Sequence, residues 1–211
     1  MEPTKELAQK VLDTVDAGLV CGLGKPIPGQ MCVEAAVNYA MGLPHDDKPA
    51  CVSPAVRALK IALNDENWTT SAARAKGLRR LAIAQLGSAG VVDDIEFVKQ
   101  LSELVIRKQV PIALRAAAST HPEEKHKLAL EKAAVECETA ADYAAASAAA
   151  AASVYHARSA ADYAARSAAS ADYAARSVYH ADKVLSDFAE DIVQILVGLQ
   201  SPGVQWLDLT L

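Results

Sequence analysis

Ala157-Arg-Ser-Ala-Ala-Asp-Tyr-Ala-Ala-Arg-Ser-Ala-Ala-Ser-Ala-Asp-Tyr-Ala-Ala-Arg-Ser177 lies inside a stretch, residues 123–197, that holds neither glycine nor proline. The rest of this 211-residue chain is well supplied with both. Alanine has the best intrinsic helix propensity, because it loses no side-chain entropy and buries no polar group, so the stretch reads as helix. Unbroken, it would run for about 110 Å at a rise of about 1.5 Å per residue. Turns at its serines would instead fold it into a helical hairpin. Two copies of Ala-Asp-Tyr-Ala-Ala-Arg-Ser, starting at Ala161 and Ala171, place Asp162 four residues before Arg166 and Asp172 four before Arg176. This is the favourable orientation for an ion pair on a helix surface. Tyr155, Tyr163 and Tyr173 form a broad stripe rather than a tight seam.

Outward from this stretch, residues 1–121 read as short helices punctuated by Gly and Pro. Thr4 caps a first helix with Leu7, Val11, Leu12 and Val15 on one face. Cys21 to Gly29 is a loop, since three Gly and two Pro forbid regular structure there. A second helix is expected from about Gln30 to Gly42, and a third from Ser53-Pro54, a cap followed by Pro at the first helical position, to Leu63. A fourth should span Ser71 to Leu86, and a fifth Ile95 to Lys108 behind a cap at Asp93, with Pro111 opening another. No run alternates with the period of a strand. The expected fold class is therefore all-α: an N-terminal bundle of short helices (1–121), the Ala-rich segment as one long helix or a hairpin (122–198), and an apolar tail (199–211). From Val184 the apolar face sharpens through Leu185, Phe188, Ile192, Ile195 and Leu196.

Composition narrows the function classes. Apolar residues make up 52% of the chain, but aromatics only 5%, so the core must be built from closely approaching helices. A net charge of −5 argues against a general nucleic-acid binder. No apolar run is long enough to cross a bilayer, and no secretory leader is visible. Cys21, Cys32, Cys51 and Cys137 include no C-x-x-C pair, which fits reduced thiols in a cytoplasmic protein. His45 with Asp46 and Asp47, and His121 with His126, fall short of a metal-ligand set; neither metal nor cofactor is implied.

Two constellations could carry chemistry. The loop Gly22-Leu-Gly-Lys-Pro-Ile-Pro-Gly29 leads into a helix start at Gln30, an arrangement that offers backbone N–H groups and a lysine to an anion. Arg74, Lys76, Arg79 and Arg80 form a basic cluster on one helix, with Arg57 and Lys60 on the one before. Together they predict a pocket for a small anionic, nucleotide-like ligand, with Gly24, Lys25, Gln30, Arg74, Arg79 and Arg80 as its lining. The alternative is a cysteine enzyme: Cys32 would sit in the first turn of a helix, where the dipole favours thiolate, with His45 as base.

Gly29-Gln-Met-Cys-Val-Glu-Ala-Ala-Val37, Gly42-Leu-Pro-His-Asp46, Lys60-Ile-Ala-Leu-Asn-Asp65 and Gly77-Leu-Arg-Arg-Leu-Ala82 occur with the Ala/Asp/Tyr/Arg repeat and Asp182-Lys-Val-Leu-Ser-Asp-Phe-Ala189. In this combination the chain resembles an uncharacterised family of bacteriophage and bacterial proteins. The resemblance covers nearly the whole chain and carries no established activity. It implies a variable Ala-rich element suited to spacing or assembly, and a phage setting in which accessory proteins sequester nucleotide signals. The functional expectation is a non-enzymatic homo-oligomer, associated through the Ala-rich helix and binding a small anion. A purely structural spacer and the Cys32 enzyme are the alternatives.

Overall fold

A computed structural model describes residues 2–120, 124–139 and 178–211. The tandem repeats, their Asp–Arg pairs and the tyrosine stripe lie outside the described residues. Within them the fold is all-α, with no strand and a single isolated bridge between Gly24 and Met31. The helices are α1 (Lys5–Asp16), α2 (Val33–Ala40), α3 (Pro54–Asn64), α4 (Ser71–Ala84), α5 (Asp94–Leu104), α6 (Val110–Thr120), α7 (Glu124–Thr139) and α8 (Val178–Gly198), followed by a 3₁₀ segment, Pro202–Thr210. None is long and apolar enough to cross a membrane.

The starts follow the capping residues. Thr4, Ser53, Thr70 and Asp93 each accept a hydrogen bond from a backbone N–H in the first turn they precede. The second helix begins three residues later than its sequence implies, because the thiol of Cys32 caps it by accepting from the Ala35 N–H. Pro111 does not break the chain between α5 and α6. It lacks an N–H, and the helix accommodates it by one π turn over Val105–Gln109, where the Val110 N–H reaches back to the Val105 carbonyl.

One core serves nearly all of the body. Val11, Leu12 and Val15 of α1, Leu59 and Leu63 of α3, and Leu78, Leu81 and Ile83 of α4 are fully or almost fully enclosed. Leu185, Phe188, Ala189, Ile192, Val193 and Leu196 of α8 join the same core, spaced 3, 1, 3, 1 and 3 residues apart, as one face of a helix requires. Composition groups α8 with the Ala-rich segment, but its large apolar face belongs to the N-terminal helices. Gly77 lets it approach α4: a Cβ there would overlap the Trp68 ring and the Ser186 hydroxyl.

The C-terminal tail also docks on the N-terminal helices. The Ser201 hydroxyl donates to the Ala84 carbonyl, and the Trp206 indole N–H donates to the Pro3 carbonyl at 3.0 Å. Gly203 lies so close to the Ile83 carbonyl that any side chain would collide with backbone.

Two neighbouring cations tie α7 and α8 to the same turn of the body. Arg107 donates to the Glu138 carbonyl at 3.4 Å, while Lys108 holds Asp191 at 2.6 Å. On a straight helix Glu138 and Asp191 would be about 80 Å apart. Thus α7 and α8 are not parts of one straight helix. Instead, α7 runs back along α6, with Arg115 bridging to both Glu131 and Glu138.

Candidate functional site

The Gly-rich loop is built by the end of α3. Asn64 accepts from the Val33 N–H and donates to the Val20 carbonyl, thereby clamping both ends of the loop. Asp65 accepts from the Gly22 N–H at 2.7 Å. Inside the loop the Lys25 N–H goes to the Gln30 carbonyl, the Gln30 N–H to Ile27 and the Ile27 N–H to Lys25. Gly24 takes φ +71°, and a Cβ there would strike the Gln30 carbonyl. The Lys25, Ile27 and Gln30 N–H groups are thus spent on carbonyls within the loop, which draws Gly24, Lys25 and Gln30 into a closed turn.

The arginines are committed as well. Arg74 is buried and donates to three carbonyls, those of Asn64, Leu19 and Glu66, so that its charge faces the C-terminal end of α3. Arg79 binds Asp16 at 2.8 Å and the Thr210 carbonyl at 2.6 Å. Arg80 binds Glu190 at 2.8 Å and the Thr210 hydroxyl at 3.0 Å. These contacts turn Arg79 and Arg80 toward α1, α8 and the tail, whereas the loop is held by α3. The predicted lining is not brought together as one pocket, because its cations lock the fold.

Cys32 does not have the environment of a nucleophile. It is 4% exposed, and burial pushes its thiol up to about 11, outweighing the hydrogen bond from the Ala35 N–H. His45 spends its Nε2 on the Gly24 carbonyl at 3.2 Å. Among the described residues no group of His, Cys, Asp and Glu is arranged to hold a metal ion.

The unexpected feature is a charged centre inside the core. Glu34 of α2 and Lys60 of α3 are both fully enclosed, with Nζ 3.5 Å from Oε1. Gln85, also fully buried at the end of α4, donates to the other Glu34 oxygen at 3.3 Å. Among the described residues Lys60 Nζ, Glu34 Oε1 and Gln85 Oε1 have no partner in hydrogen-bond geometry. Desolvation raises the Glu34 pKa and lowers that of Lys60, each against the attraction of the other. Sequence reading placed Lys60 on a basic surface with Arg57. The signal it passed over is that Lys60 shares a face with Val56, Leu59 and Leu63, and that Glu34 interrupts the apolar run Met31 to Val37.

Two surface features remain. A cleft of about 570 Å³ lies between α4 and α8, lined by Lys76, Gly77, Arg80, Asp182, Lys183 and Glu190 among others. Asp182 there accepts from the Thr69 N–H and hydroxyl, and Lys76 has no ion-pair partner among the described residues. On the outward face of α7, Leu128 is 65% and Val135 49% exposed.

No family model matches this chain, and neither a curated protein nor a solved structure is detectably similar to it.

Proposed function

We propose that this chain is a non-enzymatic helical protein that works by self-association, with α7 and the Ala-rich residues after it as the associating element. The observation that carries this reading is the outward face of α7. Large apolar residues on a stable body normally go inward, and this body has enclosed most of those of α1, α3, α4 and α8, Val197 of α8 being an exception. Leu128 and Val135 stay in water seven residues apart, at the helical spacing of a contact seam, immediately before the Ala-rich stretch. Alanines allow helices to approach closely. The buried charges and the Cys32 thiol are packed for architecture rather than for contact with a substrate.

A small anionic, nucleotide-like ligand is a second reading, with its place moved from the Gly-rich loop to the α4–α8 cleft. Lys76 supports it as an open cation beside Arg80 and Lys183. Acidic neighbours Asp182, Asp187 and Glu190 line the same cleft and weaken it.

Native mass spectrometry of the purified protein tests both readings. A discrete oligomer is the expected result, and a monomer at all concentrations refutes self-association. Extra mass lost on Lys76→Ala would support the ligand reading, whereas extra mass retained by that variant would place any ligand elsewhere.

A further inference from the structure

Glu34 stands on α2, Lys60 on α3 and Gln85 at the end of α4, and all three side chains are fully enclosed. Their polar atoms do not satisfy one another. A lysine ammonium carries three N–H donors and no acceptor. Glu34 Oε1, at 3.5 Å, can take only one of them, and the contact is out of hydrogen-bond alignment. Gln85 Oε1 has no donor among the described residues. Turning the amide over does not help, because its Nε2 donates to Glu34 Oε2 and a flip would set oxygen against carboxylate oxygen. The thiols that feel these charges are engaged elsewhere: Cys32 Sγ accepts from the Ala35 N–H, and Cys51 directs its S–H to Met41 Sδ at 3.6 Å.

The centre is also spread apart. A charge-assisted N–H···O contact closes to about 2.7–2.9 Å. Here Lys60 Nζ stands 3.5 Å from Glu34 Oε1, and Gln85 Nε2 stands 3.3 Å from Glu34 Oε2. A group that completes the centre must accept from the ammonium and donate to two oxygens. An anion would meet the Glu34 carboxylate and a metal cation the Lys60 ammonium, each a like-charge contact in a low-dielectric interior. Water is neutral, and it both donates and accepts.

We propose that the centre is a binding site for one internal water molecule, which accepts from Lys60 Nζ and donates to Glu34 Oε1 and Gln85 Oε1. Buried waters typically make about three hydrogen bonds to otherwise unsatisfied polar groups, and three such atoms converge here. Bound there, the water joins α2, α3 and α4 and stabilises the separated charges of Glu34 and Lys60 inside the core. The proposal is independent of self-association.

A high-resolution crystal structure of the full chain tests it. The wild-type map should hold a single spherical density within about 3.2 Å of Nζ and of both Oε1 atoms. Gln85→Met keeps the length of the side chain and the Glu34–Lys60 pair but removes one acceptor. Its map should lose that density, with Nζ closing directly onto the Glu34 carboxylate. A wild-type map in which all three side chains are well defined and nothing lies between them would overturn the proposal. Density with the anomalous signal of chloride or a metal ion would overturn it too, as would density that persists unchanged in Gln85→Met. If that variant does not fold, the wild-type map decides by itself.

Discussion

Replacing Lys60 by Met tests the charged centre most directly. The substitution keeps the length of the side chain and removes its charge, leaving Glu34 alone in a fully enclosed site. At 3.5 Å and an effective dielectric constant of about 20 the lost attraction is about 5 kcal/mol, and breaking a buried pair typically costs about 3–5 kcal/mol. Protonation limits the damage. Glu34 escapes its buried charge by taking up a proton, which at pH 7 costs about 3.7 kcal/mol relative to an unfolded carboxyl of pKa about 4.3. The expected loss at pH 7 is therefore about 3–4 kcal/mol.

The sign of the pH dependence follows from the same argument. An acid whose folded pKa is raised contributes its full stability below the unfolded pKa and loses it as pH climbs toward the folded pKa. The defect of Lys60→Met should thus shrink to about 1 kcal/mol at pH 5. Adding Glu34→Gln, which still accepts from Gln85, should restore stability to within about 1 kcal/mol of wild type, because a buried pair seldom outperforms its neutral replacement. Urea denaturation followed by circular dichroism at pH 5 and pH 7 measures all three variants. A loss below about 1 kcal/mol at pH 7, or one equal at both pH values, would refute the reasoning.

Other expectations follow from single contacts. Cys32, with its pKa pushed to about 11, should react with iodoacetamide at pH 8 at least about a hundred-fold more slowly than a free thiol; mass-resolved alkylation at a rate comparable to the free thiol would reopen the enzyme reading. Between about pH 9 and 11 the unfolded thiol ionises while the folded one does not, so stability should fall by up to about 3 kcal/mol. Cys32→Ser, whose hydroxyl takes over the cap on the Ala35 N–H, should remove that part of the alkaline slope in denaturation curves. Gly203→Ala should cost about 1–3 kcal/mol and expose Trp206 to fluorescence quenchers, because its methyl meets the Ile83 carbonyl and the tail must lift; unchanged quenching would contradict that packing. Gly77→Ala should lower the melting temperature despite alanine's better helix propensity, as the Trp68 ring occupies the space; an increase would show that α8 yields easily.

Helices and their starts were legible in the sequence wherever the determining force is local. Thr4, Ser53 and Asp93 cap because a short side chain reaches N–H groups two or three residues away, and a stripe such as Val11, Leu12, Val15 needs only the helical period. The exposed seam of α7 was open to the same reading, since Leu128 and Val135 stand among charged residues. By contrast, the anion pocket was a prediction from residue type alone. Residue type does not say which distant group a cation meets: Asn64 and Leu19 for Arg74, Asp16 for Arg79, and Glu190, 110 residues away, for Arg80.

By itself, the sequence determined the all-α class, the helical spacing of each apolar face and the fact that a loop must lie between α1 and α2. These follow from backbone propensity and from glycine and proline, which act over a few residues. Only the tertiary structure decided that α8 completes the N-terminal core, that α7 turns back along α6, and that Glu34 and Lys60 meet in the interior. Helices assemble by burying complementary faces, and a face's partner is written in three-dimensional shape, not in the spacing of residues along either helix.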